Sequence, residues 1–458
     1  MSNHADLIVI GAGPGGYACA FRAADLGRNV VMVDPRATLG GVCLNEGCIP
    51  SKALLHAAQI IREAHDMSDW GVAFSKPKID LDALRRRKDD IVGTLTSGLT
   101  GLAKRRKVKT IQGTATFKDA KTLDVDGAAW TFDQAVIAVG SAPVQLPGWP
   151  DDPRIWDSTA ALELRQIPKE LAIVGGGIIG LEMATIYSAL GAQVTVIELA
   201  DQIAPGADAE AVNILAATLQ SHGVTIHTKT KVSAVQATQK SVTLACEGDF
   251  AGIVKADAVI QSVGRRANGA KVKPENAGIT IDDRGVIPVD ASGRTNVDGI
   301  FAIGDVTGNP MLAHRATHQG HIAAEAASGH NAGLDTKLIP SVAYTNPELA
   351  WVGLTAAQAK ADGIAHKTSS FPWAASGRNL ASGEGDGLTK LVYCPDTNRL
   401  LGATLIGANA GELLAECTLA IEMGATLQDL ALSVHAHPTL SETIAFAAER
   451  ALGTLTDL

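Results

Sequence analysis

The chain has 458 residues, 46% of them hydrophobic and 19% charged, with a formal net charge of −9. That length fits about three domains of ~150 residues with cores large enough to need no disulfide scaffold, and the composition excludes a disordered or fibrous chain. The acidic balance and an aromatic content of only 4% argue against a nucleic-acid partner, an anionic membrane surface or a base-stacking platform.

The first predicted element is the apolar run at 7–10, which leads straight into a glycine loop. With no basic n-region before it, the run reads as a buried strand and not as a signal peptide. No stretch reads as a membrane span. The uncharged segment 211–228 carries Asn, Gln, Ser, Gly and two His, which predicts a helix followed by a turn. The expected compartment is the cytoplasm, where cysteines stay reduced unless a pair is catalytic.

Residues 7–34, LIVIGAGPGGYACAFRAADLGRNVVMVD, recur at an offset of 164 as residues 171–198, LAIVGGGIIGLEMATIYSALGAQVTVIE. Each copy runs strand, G-x-G-x-x-G, amphipathic helix, strand, acid. The glycines are Gly11, Gly13 and Gly16 in the first copy and Gly175, Gly177 and Gly180 in the second, and the acids are Asp34 and Glu198. A lone glycine motif is weak evidence. The flanking strand and helix and the terminal acid, present twice, predict two dinucleotide-binding folds. The glycines let backbone approach a pyrophosphate at a helix N-terminus, and the acid accepts hydrogen bonds from a ribose. Two such folds imply two dinucleotides and electron transfer between them.

Residues 40–52 read GGVCLNEGCIPSK. Cys43 and Cys48 lack the second pair that a zinc site needs. On an ideal helix their Cα atoms would stand ~8.6 Å apart, beyond the disulfide window of ~4.4–6.8 Å, and on a strand roughly 16 Å apart. Bridging therefore needs an irregular turn, for which Gly40, Gly41 and Gly47 give freedom. Pro50 suits a first helical turn, which puts Cys48 near a helix N-terminus, where thiolates are favoured. Lys52 follows one turn later on the same face.

Two basic runs, 85–88 and 104–109, read as solvated helical faces, with a docking patch as the alternative. Residues 230–265 alternate as a strand meander ending at Gly264, and 295–306 give a short strand ending in Gly-Asp. From about 340 the texture becomes α+β. There, ANAGELLAECTLAIEMG (408–424) predicts a helix with an apolar face suited to burial between subunits. The segment HAHPTLSE (435–442) offers two histidines with no partner at helical spacing, which is poor for a metal. A turn joining His437 to Glu442 reads better as a base and the carboxylate that orients it. No metal site is expected.

The segments GGVCLNEGCIPSKALLH, GGGIIGLE, TNVDGIFAIGDV, YTNPELAWVG, GANAGELLAE and HAHPTLSE together resemble the pyridine nucleotide-disulfide oxidoreductases across essentially the whole chain. The resemblance implies an α/β protein with two Rossmann-like dinucleotide-binding domains and a C-terminal α+β dimerisation domain. Its implied divisions are 1–145 for FAD, 146–267 for NAD, 268–337 returning to FAD, and 338–458 as the interface. It makes Cys48 the thiol against the flavin, Cys43 the thiol that exchanges with substrate, Lys52 a flavin contact and Glu182 its ion-pair partner. Ala115, Ser141, Asp305 and Ala313 become FAD positions, and Gly264 an NAD position. His437 becomes the base, and His435 receives no role.

Within the family, the resemblance favours members that oxidise protein-bound dihydrolipoyl groups with NAD+. It implies a homodimer serving the lipoyl domains of 2-oxo acid dehydrogenase or glycine-cleavage complexes. A glutathione-type reductase would want a basic ribose site, and a mercuric reductase a C-terminal cysteine pair that LGTLTDL lacks. A transhydrogenase would lack the Cys43–Cys48 pair, and a non-catalytic flavin-binding assembly subunit would not need the full Cys43, Cys48 and His437 set.

Overall fold

The computed structural model describes residues 3–335 and 338–456. The boundary expected at 337 falls outside the described residues. Strands Asn3–Ile10, Val30–Asp34, Lys109–Gln112 and Ala128–Ile137 form a parallel sheet. The antiparallel strands Thr122–Val125 and Ala115–Asp119 extend one end. Strand Ile300–Ala302 returns much later to lie parallel beside Ala128–Ile137. Residues 7–10 are buried on both faces, as a central parallel strand requires. On one face, helix Pro14–Asp25 packs against helix Ala313–Ala327. A Cβ on Gly320 would stand 2.5 Å from the Gly15 carbonyl oxygen, so this crossing needs a glycine. Arg22 and Glu325 pair across it at 2.6 Å.

A second parallel sheet orders its strands as Thr225–His227, Gln193–Ile197, Glu170–Val174, Ala258–Gln261 and Ile155–Trp156. The expected meander occupies Thr230–Ala237, Val242–Gly248 and Gly252–Ala256. It stops before Gly264, because Ala258–Gln261 is buried on both faces and joins the parallel sheet. Its apolar run is the signature of a central strand and not of an alternating one. The chain leaves the first unit along Ser141–Pro143 and returns along Arg265–Ala267, two strands paired antiparallel, so the second unit is inserted into the first.

The third unit is a five-stranded antiparallel sheet, Ser341–Ala343, Glu348–Gly353, Leu400–Gly407, Leu388–Tyr393 and Lys367–Pro372 in spatial order. Helices Ala410–Glu422, Leu427–Leu432 and Glu442–Leu452 accompany it. One hydrophobic cluster joins all three units: Leu54 and Leu55 of helix Cys48–Asp66 pack with Leu181 and Ala184 of the second unit and with Leu349 and Ile406 of the third. The first basic run lies on helix Leu81–Arg105. Lys88 there is buried and pairs with Asp89 at 2.9 Å, so this run is not wholly solvated. Among the described residues no helix is long and apolar enough to cross a membrane.

Candidate functional site

Each glycine of the two fingerprints has a separate structural reason. Gly11 and Gly175 hold φ of +108° and +107°, and a Cβ there would lie 2.3 Å from the Ala138 oxygen and 2.4 Å from the Ser262 oxygen. Gly16 and Gly180 let their helices press onto the strand, since a Cβ would come within 1.9 Å of the Gly11 oxygen or 2.1 Å of the Gly175 oxygen. Gly13 and Gly177 face open space instead. The nearest atom to a Gly13 Cβ is 4.0 Å away, and none lies within 4 Å of one on Gly177. Both are helix N-caps without a side-chain cap, so backbone N–H groups meet that space. Such a cradle fits a pyrophosphate.

The terminal acids repeat one arrangement. Asp34 accepts from the Ala12 and Arg36 N–H groups at 2.7 and 2.9 Å, and Glu198 from those of Gly176 and Ala200 at 2.5 and 2.7 Å. Each carboxylate thereby braces its own glycine turn while facing the cavity. One continuous cavity of about 2120 Å³ runs from Asp34 past the dithiol to Glu198. Ala115, Ser141, Gly264, Asp305 and Ala313 line it. Ser141 Oγ donates to Asp305 at 2.5 Å and accepts from Arg265 Nε at 2.7 Å, so the outgoing and returning connections close on the carboxylate.

The dithiol sits where two helices meet. Helix Gly41–Glu46 ends at Gly47, whose φ of −135° and ψ of −109° break the spiral, and helix Cys48–Asp66 starts at once. Gly40 enters the first helix with φ of +106°. This break brings Cys43 and Cys48 into side-chain hydrogen-bond contact, which a continuous helix forbids. The hydrogen bond from Cys43 and, to a smaller degree, the Lys52 ammonium together lower Cys48 to about 7 against the opposing effect of burial. Cys43, as the donor, is pushed up by that bond and by burial. The arrangement therefore favours a single thiolate in the pair, beside the helix terminus and Lys52.

The rate at which iodoacetamide alkylates the reduced dithiol is expected to rise with pH through a midpoint of about 7, well below the ~8.5 of a free cysteine. An unshifted midpoint contradicts this electrostatic account.

Lys52 donates to both Glu182 oxygens at 2.9 and 3.0 Å, and its ammonium lies 4.3 Å from the Tyr344 ring centroid. Glu182 is buried and also accepts from the Tyr344 N–H at 3.2 Å. One carboxylate thus ties the dithiol helix to the second and third units. Sequence reasoning missed Tyr344, which lies in a strand-to-turn segment 162 residues from Glu182.

His437 Nδ1 stands 2.9 Å from Glu442 Oε1, and Glu442 Oε2 accepts from the Thr439 N–H at 2.8 Å. Although burial opposes it, these two bonds hold the Glu442 carboxyl below its ordinary value. The imidazole does not join the cavity lining within its own chain and is 80% exposed. His4, Asp6 and Asp133 also converge on the surface, across two neighbouring strands where sequence spacing could not join them. Each already has a protein partner.

Residues 5–320 match the pyridine nucleotide-disulphide oxidoreductase family, and residues 339–448 its dimerisation domain. The chain belongs to that family. Three relatives carry the name dihydrolipoyl dehydrogenase. Those of Vibrio cholerae and Haemophilus influenzae are 50% and 51% identical, each over 99% of this chain and 97% and 96% of their own. That of Bacillus subtilis is 42% identical over 98% of this chain and 97% of its own. Among solved structures, the HOCl-induced flavoprotein disulfide reductase RclA of Escherichia coli superposes with a TM-score of 0.87 at 27% identity, covering 97% of this chain and 99% of that one.

Proposed function

We infer that the chain oxidises protein-bound dihydrolipoyl groups to the cyclic disulfide and reduces NAD+, with FAD and the Cys43–Cys48 pair between them. The observation that carries this reading is the dithiol at a helix N-terminus beside Lys52, midway along a cavity with a dinucleotide cradle at each end. FAD, when bound, supplies the two-electron carrier between the thiols and the nicotinamide.

The chain's own residues perform the thiol chemistry. A substrate thiolate attacks Cys43 of the oxidised pair, the Cys43–Cys48 bond breaks, and Cys48 leaves as a thiolate stabilised by Lys52 and the helix terminus. The second substrate thiolate then displaces Cys43 and closes the lipoyl ring. His437, oriented by Glu442, takes the proton of the first substrate thiol, and the proton of the second passes to the Cys43 sulfur that it displaces. The net change is dihydrolipoyl plus NAD+ to lipoyl plus NADH and a proton. A thiol count tests this role: dithionite reduction of the FAD-loaded, oxidised protein is expected to expose two further alkylatable cysteines, Cys43 and Cys48. No gain contradicts the redox pair.

On this reading, Asp34, Ala115, Ser141, Asp305 and Ala313 hold FAD with the first cradle, and Glu198 and Gly264 hold NAD with the second. Residues 1–145 and 268–337 serve FAD, 146–267 serve NAD, and 338–458 form the interface. Glu198 would repel a 2′-phosphate and bond a 2′-hydroxyl. NAD is therefore expected to exceed NADP in kcat/KM by about 100-fold or more, and Glu198→Ala to narrow the gap by roughly tenfold. Equal values for the two cofactors in the parent contradict the assignment.

The protein works as a homodimer in the cytoplasm on the lipoyl domains of a 2-oxo acid dehydrogenase or glycine-cleavage complex. Supporting the dimer, Leu419, Met423, Leu432 and Val434 stand exposed on the third unit, on or near helix Ala410–Glu422. Burial of such a face between subunits removes that apolar surface from water.

A further inference from the structure

Two histidines two residues apart meet opposite environments. His437 is 80% exposed and has one ring nitrogen on Glu442, which leaves Nε2 free to take a proton. The side chain of His435 is only 10% exposed, and both its nitrogens are engaged. Nε2 lies 2.7 Å from Glu416 Oε1, and Nδ1 lies 2.9 Å from the Ser433 carbonyl oxygen. Both ring nitrogens are thus occupied by partners within the protein.

Glu416 is itself on a fixed support. It lies in helix Ala410–Glu422, whose N-cap Asn409 has φ of +56° and makes no side-chain cap. The cap comes from elsewhere: Glu348, at the start of strand Glu348–Gly353, accepts from the Gly411 N–H at 2.9 Å. A continuous line of contacts runs from the sheet of the third unit through Glu348 to the helix, from Glu416 to His435, and by two peptide units to His437.

We propose that the Glu416–His435 pair is a positioning device for the base: it fastens the turn carrying His437 to helix Ala410–Glu422 and so aims the exposed imidazole that Glu442 orients. The inference rests on the reading of His437 as the base. His435 and Glu416 touch no reacting atom, and their effect passes through His437. A charge-assisted hydrogen bond at this distance is among the strong ones a protein makes, and small misplacement of a reacting group is costly to rate.

The test is a double-mutant cycle on the FAD-loaded dimer with free dihydrolipoamide and NAD+. Glu416→Ala is expected to lower kcat about tenfold with little change in KM. Glu416→Gln, which keeps an acceptor oxygen toward the ring, is expected to recover most of that loss. In a His437→Gln background, Glu416→Ala is expected to cost nothing further, because the group it positions is already gone. His435→Gln serves as a second disruptive variant should Glu416→Ala fail to assemble, and the same non-additivity is expected of it.

A loss that is equally large in the His437→Gln background shows a general structural role and overturns the proposal, as does parental kcat in both Glu416→Ala and His435→Gln. Should His437→Gln itself retain parental activity, the reading of the base fails instead, so the two failures are distinct.

Discussion

Replacing Cys43 or Cys48 by serine is expected to lower dihydrolipoamide-dependent NADH formation by about a thousandfold or more, with FAD still bound. The break at Gly47 places the two sulfurs in contact and sets Cys48 at the head of a 19-residue helix. Lys52 helps hold the Cys48 thiolate near a value of about 7. Serine keeps the size and the turn but forms no disulfide, and its hydroxyl is a far poorer leaving group. NADH-driven dye reduction uses the nucleotide cradles and not the thiols, so it is expected to survive in both variants. That contrast separates loss of the redox pair from loss of the fold. Near-parental lipoamide turnover in either variant refutes the dithiol mechanism.

The second large effect concerns where the base comes from. His437→Gln is expected to cost about 10²–10⁴-fold in the same assay, the usual range for a positioned acid–base group. The imidazole is outside its own chain's cavity lining and exposed, beside an apolar face that also awaits cover. We therefore expect it to serve the partner's dithiol across a two-fold axis, which makes both sites equivalent. Inactive Cys48→Ser and His437→Gln dimers, mixed under conditions that exchange subunits, are then expected to regain activity. Each heterodimer has one site that combines an intact Cys48 with an intact His437, so an equal mixture approaches about a quarter of the parental sites. A mixture that stays inactive after proven exchange shows that each chain serves itself.

How much of this was legible in the sequence depends on the range of the interaction. The glycine fingerprints, their acids and the irregular turn at the dithiol are local, and each constraint falls within a few dozen residues. Gly11 needs its positive φ and Gly16 its missing Cβ whatever the rest of the chain does. A short apolar run such as Ala258–Gln261 carries no period that separates a meander from a central strand. In the basic run at 85–88, charge alone does not reveal that Lys88 is buried and paired with Asp89.

The contacts that tie the site together were beyond reach for another reason. Lys52 with Tyr344, and Ser141 with Arg265 and Asp305, pair residues from different elements more than a hundred positions apart. No spacing rule announces them. Only the insertion of the second unit into the first, and the packing of the third onto helix Cys48–Asp66, bring them together.

The central claim is that electrons flow from a dihydrolipoyl dithiol to NAD+. The most direct measurement is NADH formation by the FAD-loaded protein given dihydrolipoamide and NAD+, with reduced glutathione in its place as the control. Steady NADH formation is expected with dihydrolipoamide, and none above background with glutathione. An FAD-loaded protein that makes no NADH from dihydrolipoamide, yet reduces glutathione disulfide with NADPH, contradicts it.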